Sequence, residues 1–423
     1  MSRSFQSVLN CSLLMPLCFI AFVSSRIAVL FVPVPDPLSD AGWYLSRAIT
    51  LANDGTYSEG GILTAYWPVG YPAFLALLFK IAGPSLLAAR VANLVLASAS
   101  FWLLYFVVKR FMNDELVARG TVLLFTLYPN NAAYVSLLLT ETLYTFLLLV
   151  ASLLLLSRQN WTLVTAGVTF GLAILVKTQT MLLIPILAFL ASIEQWSFGN
   201  AYRAMLRSGA VCLLALAVVV PWTIRNYAVF KTFVLVSTNG GMALLAGNNA
   251  SVVGDYRSDF SPDDPLLVQA QFSVDDQIAA NRRASSLALN WIKDNPGQFL
   301  RLIPKKLFRL WAVDGEGEWG YQDSQFYRAN WVWFRAARVV NQVFYFAALS
   351  LCLVGFWMLA KTRISTPRTY YGLAVVAIIT LISAVFSGQS RYHFPAMPFV
   401  LAYAAWVLLH GEKVSLNGIS KAV

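Results

Sequence analysis

The stretch CSLLMPLCFIAFVSSRIAVLFVPVPDPLSDAGWYLSRA, residues 11–48, joins a long apolar run to a short segment with two acids, Asp36 and Asp40, the second followed by Tyr44 and Arg47. The first half predicts a membrane span over 11–32, because about 20 apolar residues cross a hydrocarbon core. Residues 11–23 would also suit the apolar region of a signal peptide. The apolar run resumes after Arg26 and no clear small-residue cleavage site precedes the loop, so an uncleaved span is the preferred reading. The second half predicts a helix over 38–53, with Ser39 as N-cap and Asn53-Asp54-Gly55 as the stop. On it Asp40, Tyr44 and Arg47 fall at i, i+4 and i+7 and share one face. Leu45, Ala48, Ile49 and Ala52 form an apolar face, so this helix is expected to lie on the membrane.

The rest of the chain repeats the first pattern. Of its 423 residues, 58% are hydrophobic and 12% charged, against roughly 25% charged in soluble domains. Further apolar runs at 85–108, 116–132, 136–156, 161–177, 179–195, 208–226, 337–360, 370–387 and 392–410 give about ten transmembrane helices. The expected fold class is an all-α polytopic membrane protein with amphipathic helices at the outer face and one long extracytoplasmic loop. Its core covers 1–226, including a first outer loop at 33–84; the long loop covers 227–335, and the last helices lie in 336–423.

Charge sets the expected orientation. Residues 227–335 hold 11 basic and 11 acidic side chains, so the net charge of +11 lies wholly outside that loop. Lys109, Arg110 and Arg119, then Arg158, Arg203 and Arg207, then Lys361, Arg363 and Arg368 fill alternate connectors, the positive-inside pattern of an inner (plasma) membrane protein. Asp40 then faces outward. Basic residues placed this way do not imply nucleic-acid binding. The four cysteines (Cys11, Cys18, Cys212, Cys352) sit in apolar runs, and the two histidines, His393 and His410, stand alone, so no disulfide framework or metal cluster is indicated.

In the long loop, Ser237-Thr238-Asn239-Gly240-Gly241 and Gly247-Asn248-Asn249 are turn chemistry. Ser273 and Asp276 suggest a helix start, and Pro296 another. After Pro296, Arg301, Lys305 and Arg309 align at i, i+4 and i+8 while Phe299, Ile303, Leu307 and Leu310 line another face. This predicts a basic amphipathic helix at the outer interface, with those three cations on lipid headgroups or drawing in an anionic lipid.

Charges inside spans are costly and so are functional suspects. Glu141, Lys177 and Arg391 stand near the outer ends of their spans. With Asp40, Arg47 and Arg225 they make a ring of mixed charge. Structural pairing or snorkelling is the plain alternative for Glu141, Lys177 and Arg225. Asp40 is read as a general base beside cations able to hold a phosphate.

An outer-loop Asp helix, the turn Pro68-Val69-Gly70-Tyr71-Pro72, the acid in Thr140-Glu141-Thr142, the two turns of the long loop and Arg391-Tyr392-His393-Phe394-Pro395 follow one another across almost the whole chain. This ordered set resembles the GT-C glycosyltransferases, most closely the glycosyltransferase family 39 and aminoarabinose-transferase-like group. The resemblance implies an inverting transfer of a sugar from a polyprenyl-phosphate donor to a hydroxyl acceptor (lipid, glycan or protein) at the outer face. Asp40 takes the place of the family's first-loop catalytic acid and Glu141 that of its second acidic position. Arg391, Arg47 and Lys177 are the candidates for the donor phosphate, with Tyr44 orienting Asp40 or the phosphate. Ala41 stands where several members carry a second acid, and the lysine of aminoarabinose transferases near Tyr66-Trp67-Pro68 is missing. A dedicated general acid is not required by this chemistry. No cofactor is singled out by the residues; a divalent metal is possible, shared by Asp40 and Glu141, only if the fold brings them within ligand reach. A lipid-linked-sugar carrier or flippase, and a non-catalytic subunit of envelope polysaccharide assembly, are the other readings.

Overall fold

A computed structural model describes every residue except 1–2, 38, 158, 194, 253–264, 362–365 and 420–423. Arg158 and Arg363 of the basic connectors, and the helix start at residue 38, lie outside the described residues. The apolar runs form helices because in hydrocarbon every backbone N–H and C=O must be satisfied within its own segment. Among the described residues, six helices are long and apolar enough to cross a membrane: Leu86–Met112, Thr140–Ser157, Phe198–Phe230, Trp331–Lys361, Pro367–Val385 and Ser390–Gly411. Shorter apolar helices cover Leu14–Leu30, Gly70–Ala82, Asn160–Val176 and Thr180–Ser192. The chain is an all-α polytopic membrane protein.

Two expectations need correction. The run 116–132 is not one helix. It ends at Leu127 and a short turn restarts at Pro129, because the residue before a proline is pushed out of the α region. Tyr128 accordingly sits at φ −77°, ψ 105°. The first loop, in turn, holds a second apolar helix, Gly70–Ala82. Pro72 falls in its first turn, where a proline costs no hydrogen bond, so the Gly-Tyr-Pro sequence starts a helix after the aromatic turn. Phe198–Phe230 runs well past the expected 208–226. Its 33 residues make about 50 Å at 1.5 Å per residue, enough to carry Arg225 beyond the hydrocarbon.

The Asp40 helix spans Ser39–Asp54 and packs against Gly70–Ala82, which in turn sits on Asn160–Val176. That second contact needs a glycine. A Cβ at Gly70 would lie 2.6–2.7 Å from the backbone of Leu175 and Val176, closer than packed atoms approach. A two-stranded hairpin, Ser58–Glu59 with Ile62–Leu63, follows the Asp40 helix. Arg225 clamps it by donating to Tyr57 O at 3.0 Å and Thr64 O at 2.8 Å.

The long loop begins after Phe230 and folds into helices at Gly240–Gly247, Gln277–Asp294 and Pro296–Trp311. It is tied to the first loop by Gln277, whose Oε1 accepts from Ala65 N at 2.9 Å and Thr238 Oγ1 at 3.0 Å. On Pro296–Trp311 the side chains of Arg301, Lys305 and Arg309 are exposed as expected, but Lys306 between them is buried.

Candidate active site

Six separate pieces of sequence meet at one cavity of about 510 Å³. Asp40 and Tyr44 come from the first-loop helix, and Trp67 and Pro68 from the turn after the hairpin. Glu141 sits at the start of its span and Lys177 at the end of the next one. Asn239 and Gly240 arrive from the long loop, and Arg391 and Tyr392 from the last span's first turn. Met181, Leu182, Ile382 and Phe386 add an apolar wall.

The four charges are arranged as two ion pairs. Arg391 Nη2 lies 2.7 Å from Asp40 Oδ2, and Lys177 Nζ lies 2.9 Å from Glu141 Oε1. Glu141 is 2% exposed and Lys177 13%, so this pair is held in a medium where Coulomb attraction is strong and desolvation costly. Lys177 also terminates the helix Asn160–Val176, where a cation complements the helix dipole. Tyr44 is buried among the rings of Trp43, Trp67 and Tyr71. Burial, and then the neighbouring Asp40 carboxylate, push its phenol well above its ordinary range, so it stays a neutral hydrogen-bonding group.

Arg47 is not brought into the cavity with Asp40 and Tyr44. It turns to the hairpin, pairing with Glu59 at 2.8 Å and lying 4.4 Å over the Trp43 ring. Trp43 Nε1 donates to the same Glu59 at 3.2 Å. Seven residues bring Arg47 back to within about 20° of the same face but about 10.5 Å further along the axis, where it meets the hairpin instead of the cavity. The ring of mixed charge therefore divides: Arg225 and Arg47 fasten the hairpin, and the other four side chains line the cavity.

A cluster that sequence reasoning did not single out fixes the segment carrying Arg391. Asp314 is 2% exposed and His393 fully buried. Asp314 Oδ2 accepts from Tyr128 OH at 2.7 Å and from Asn341 Nδ2 at 3.1 Å, and Oδ1 accepts from Asn130 Nδ2. His393 Nε2 faces Asp314 Oδ1 at 3.2 Å, and its Nδ1 faces Leu310 O. The imidazole is stacked between Trp311 and Tyr345, with centroids 5.2 and 5.1 Å away. The turn Ser390–Ala396 is thereby locked to the long loop. The one sequence signal was an acid set directly after the apolar Trp311-Ala312-Val313.

Lys306 makes a second such tie. Its Nζ donates to Asn248 Oδ1 at 2.8 Å and to Val385 O at 3.0 Å, holding the long loop against the segment that leads to Arg391. Burial pushes this ammonium down from 10.5 to about 8. The folded chain then gives up its proton at lower pH than the unfolded chain. Between about pH 8 and 10.5 the unfolded state binds more protons, so this group makes stability rise with pH across that window. Lys306→Met is expected to remove that rise, as measured by unfolding in detergent across the window. A variant that keeps the full rise would assign it elsewhere.

The fit to a divalent metal is poor. Both cavity carboxylates are already paired with cations, and among the described residues no group of three or more His, Cys, Asp or Glu side chains is placed to hold a metal ion.

Comparison with known proteins bears on the fold. The Archaeoglobus fulgidus oligosaccharyltransferase in the apo form superposes over 97% of this chain at TM-score 0.54 with 15% identity. The chain has the GT-C fold. It spans 51% of that protein's length. The same oligosaccharyltransferase, AglB, in complex with an inhibitory peptide and a dolichol-phosphate, matches at TM-score 0.53 and 15% identity, over the whole of this chain and 52% of its own. ArnT from Cupriavidus metallidurans aligns over 92% of this chain and 76% of its own at 14% identity and TM-score 0.41. Residues 67–224 match the family model of dolichyl-phosphate-mannose-protein mannosyltransferases. No curated protein sequence matches the chain. Within the GT-C fold, the matched segment contains Glu141 and Lys177, while Asp40 and Arg391 lie outside it.

Proposed function

We propose that this protein is a membrane glycosyltransferase that moves a sugar, with inversion, from a polyprenyl-phosphate donor to a hydroxyl acceptor at the extracytoplasmic face of the plasma membrane. The observation that carries this reading is the Asp40–Arg391 pair at 2.7 Å, set in a cavity with an apolar wall. The wall suits a prenyl chain and the cations suit its phosphate. The AglB structure with dolichol-phosphate supports a lipid phosphate as the donor's leaving group. The alternation of basic connectors supports the outward orientation, and the long loop beyond Phe230 is proposed to shape the acceptor side.

The chemistry follows from the residues. As the acceptor oxygen bonds to the anomeric carbon, its proton passes to the Asp40 carboxylate. The bond from that carbon to the phosphate oxygen breaks, and its electron pair leaves with the lipid phosphate. That oxygen is weakly basic and needs no proton from a dedicated acid; it needs positive charge nearby, from Arg391 and Lys177. In the free protein Arg391 is occupied by Asp40. A donor phosphate competes for the same guanidinium, which loosens the hold on Asp40 and opens its carboxylate to the acceptor hydroxyl. Glu141 keeps Lys177 oriented, and Tyr44 bounds the space beside Asp40. The exposed Arg301, Lys305 and Arg309 are proposed to contact anionic headgroups near the donor's path.

The test is turnover of a panel of radiolabelled polyprenyl-phosphate sugars by the protein in reconstituted membranes, with membrane extract as acceptor. Loss of label from one donor establishes the reaction and names the sugar. No turnover of any donor by folded protein would overturn the reading, and movement of intact donor across the bilayer would replace it with a carrier.

A further inference from the structure

The large cavity holds more polar groups than its two ion pairs use. Asp40, Glu141, Lys177 and Arg391 are the only charged side chains that line it among the described residues, and they are paired two by two. Two further segments bring uncharged polar groups to the same wall. In the first turn of the long loop, Val236 and Thr238 are buried and fastened. Val236 O accepts from Trp222 Nε1 at 2.7 Å. Thr238 donates through N to Ala65 O at 2.9 Å and through Oγ1 to Gln277 Oε1 at 3.0 Å. Gly241 N donates to Asn281 Oδ1 at 2.6 Å, so the turn is held at both ends. Ser237 and Asn239, at the alternate positions, line the cavity instead. Ser237 Oγ donates its one proton to Asn239 Oδ1 at 2.8 Å. The lone pairs of that hydroxyl and the Nδ2 hydrogens of the amide remain, an acceptor beside a donor. The second segment is the turn directly after Lys177. Thr178 and Gln179 line the cavity, and the Thr178 hydroxyl is buried without a hydrogen-bond partner among the described residues. Buried polar groups are as a rule hydrogen-bonded, so a hydroxyl orphaned at a cavity wall marks a place where the cavity's occupant supplies the partner.

Resting on the transferase reading above, we propose that Ser237, Asn239 and Thr178 read the donor's sugar through its hydroxyls, and that this sugar is uncharged. The sugar is bonded to the phosphate, so its ring lies next to the cations that hold that phosphate, and Thr178 directly follows one of them. Each ring hydroxyl donates and accepts, and the Ser237–Asn239 pair offers one group of each kind. Charge decides the class. A phosphate held by Arg391 and Lys177 uses both cations of the cavity. A sugar carboxylate would then meet Asp40 and Glu141 with no cation left, and like charges set together oppose binding strongly. A sugar ammonium would pair with Asp40 and hold the carboxylate that has to take the acceptor's proton. An uncharged ring does neither. These groups belong to the first turn of the long loop, and the acceptor side is left to the rest of it.

The experiment uses the full chain in membranes and matched sets of polyprenyl-phosphate donors, each set an uncharged sugar, its amino analogue and its uronic acid. Turnover is expected with an uncharged donor, and kcat/KM is expected to be lower by roughly a hundredfold for its two charged analogues. Asn239→Ala and Thr178→Val are each expected to lower kcat/KM for the uncharged donor by about tenfold, the effect of one hydrogen bond. Neither should change the binding of bare polyprenyl phosphate. Asn239→Asp keeps the shape and adds a carboxylate, and is expected to shift preference toward the amino-sugar donor by about tenfold. Faster turnover of an amino or acidic donor by the unaltered protein would overturn the uncharged class. Unchanged kcat/KM in both Asn239→Ala and Thr178→Val would overturn the site. Equal loss of bare polyprenyl-phosphate binding would place the effect on the phosphate and overturn it as well. Turnover of no donor at all is a different result, and would fell the transferase reading and this one with it.

Discussion

Asp40→Asn is expected to lower sugar transfer by about 10²–10⁴-fold, the range a placed general base contributes. The amide keeps the size of the carboxylate and can still accept from Arg391 through its oxygen, so the helix and the cavity wall should survive. What is lost is the group proposed to take the acceptor's proton. The substitution also gives Arg391 a neutral partner in place of the carboxylate it pairs with at 2.7 Å, one that a phosphate displaces more easily. Donor binding should therefore hold steady or tighten while turnover collapses. Parallel measurement of polyprenyl-phosphate binding and of label transfer separates the two effects. Transfer at the unaltered rate would remove Asp40 from the chemistry.

The second large effect is on stability and comes from Lys177 and Glu141. Removing one member of a buried ion pair leaves the other charged and unpaired, which costs about 3–5 kcal/mol. Lys177→Met alone should lower the unfolding free energy by about that amount, because Glu141 is only 2% exposed. The double variant Lys177→Met with Glu141→Gln leaves no buried charge and should regain most of the loss. Activity then divides two readings of the pair. If Lys177 also holds the donor phosphate, the double variant is stable and still poor at transfer, with a raised KM for donor. If the pair only fastens two helix ends, activity returns with stability. Unfolding in detergent and donor kinetics on the same three proteins decide it.

Much of this fold was legible in sequence because membrane spans are a local property. A run such as 140–157 or 331–361 must satisfy its own backbone, and composition alone marks it. The first-loop helix was legible too, since Ser39, the stop at Asn53-Asp54-Gly55 and the apolar spacing are all short-range signals. Local signals also explain where the reading failed. Hydropathy joined 116–132 into one span because it is blind to the backbone restriction that Pro129 places on Tyr128. It passed over Gly70–Ala82 as a separate helix, because the flanking aromatics and prolines dominated the pattern.

The site divides the same way. Sequence supplied the chemically apt side chains, Asp40, Tyr44, Glu141, Lys177 and Arg391, and all five line one cavity. It also supplied Arg47, which shares their helix face by periodicity yet finds Glu59 across the hairpin. Residue spacing along the chain states which groups share a helix face; it carries no information about which distant segment meets that face. Asp314 and His393, 79 residues apart, and Lys306 with Val385, likewise 79 apart, had no sequence signature of partnership. The sequence by itself determined a polytopic helical membrane protein and the side chains available for its chemistry. Only the tertiary structure decided which acid faces which cation and which segments wall one cavity, because ion pairing and cavity shape act through space between segments that chain order leaves far apart.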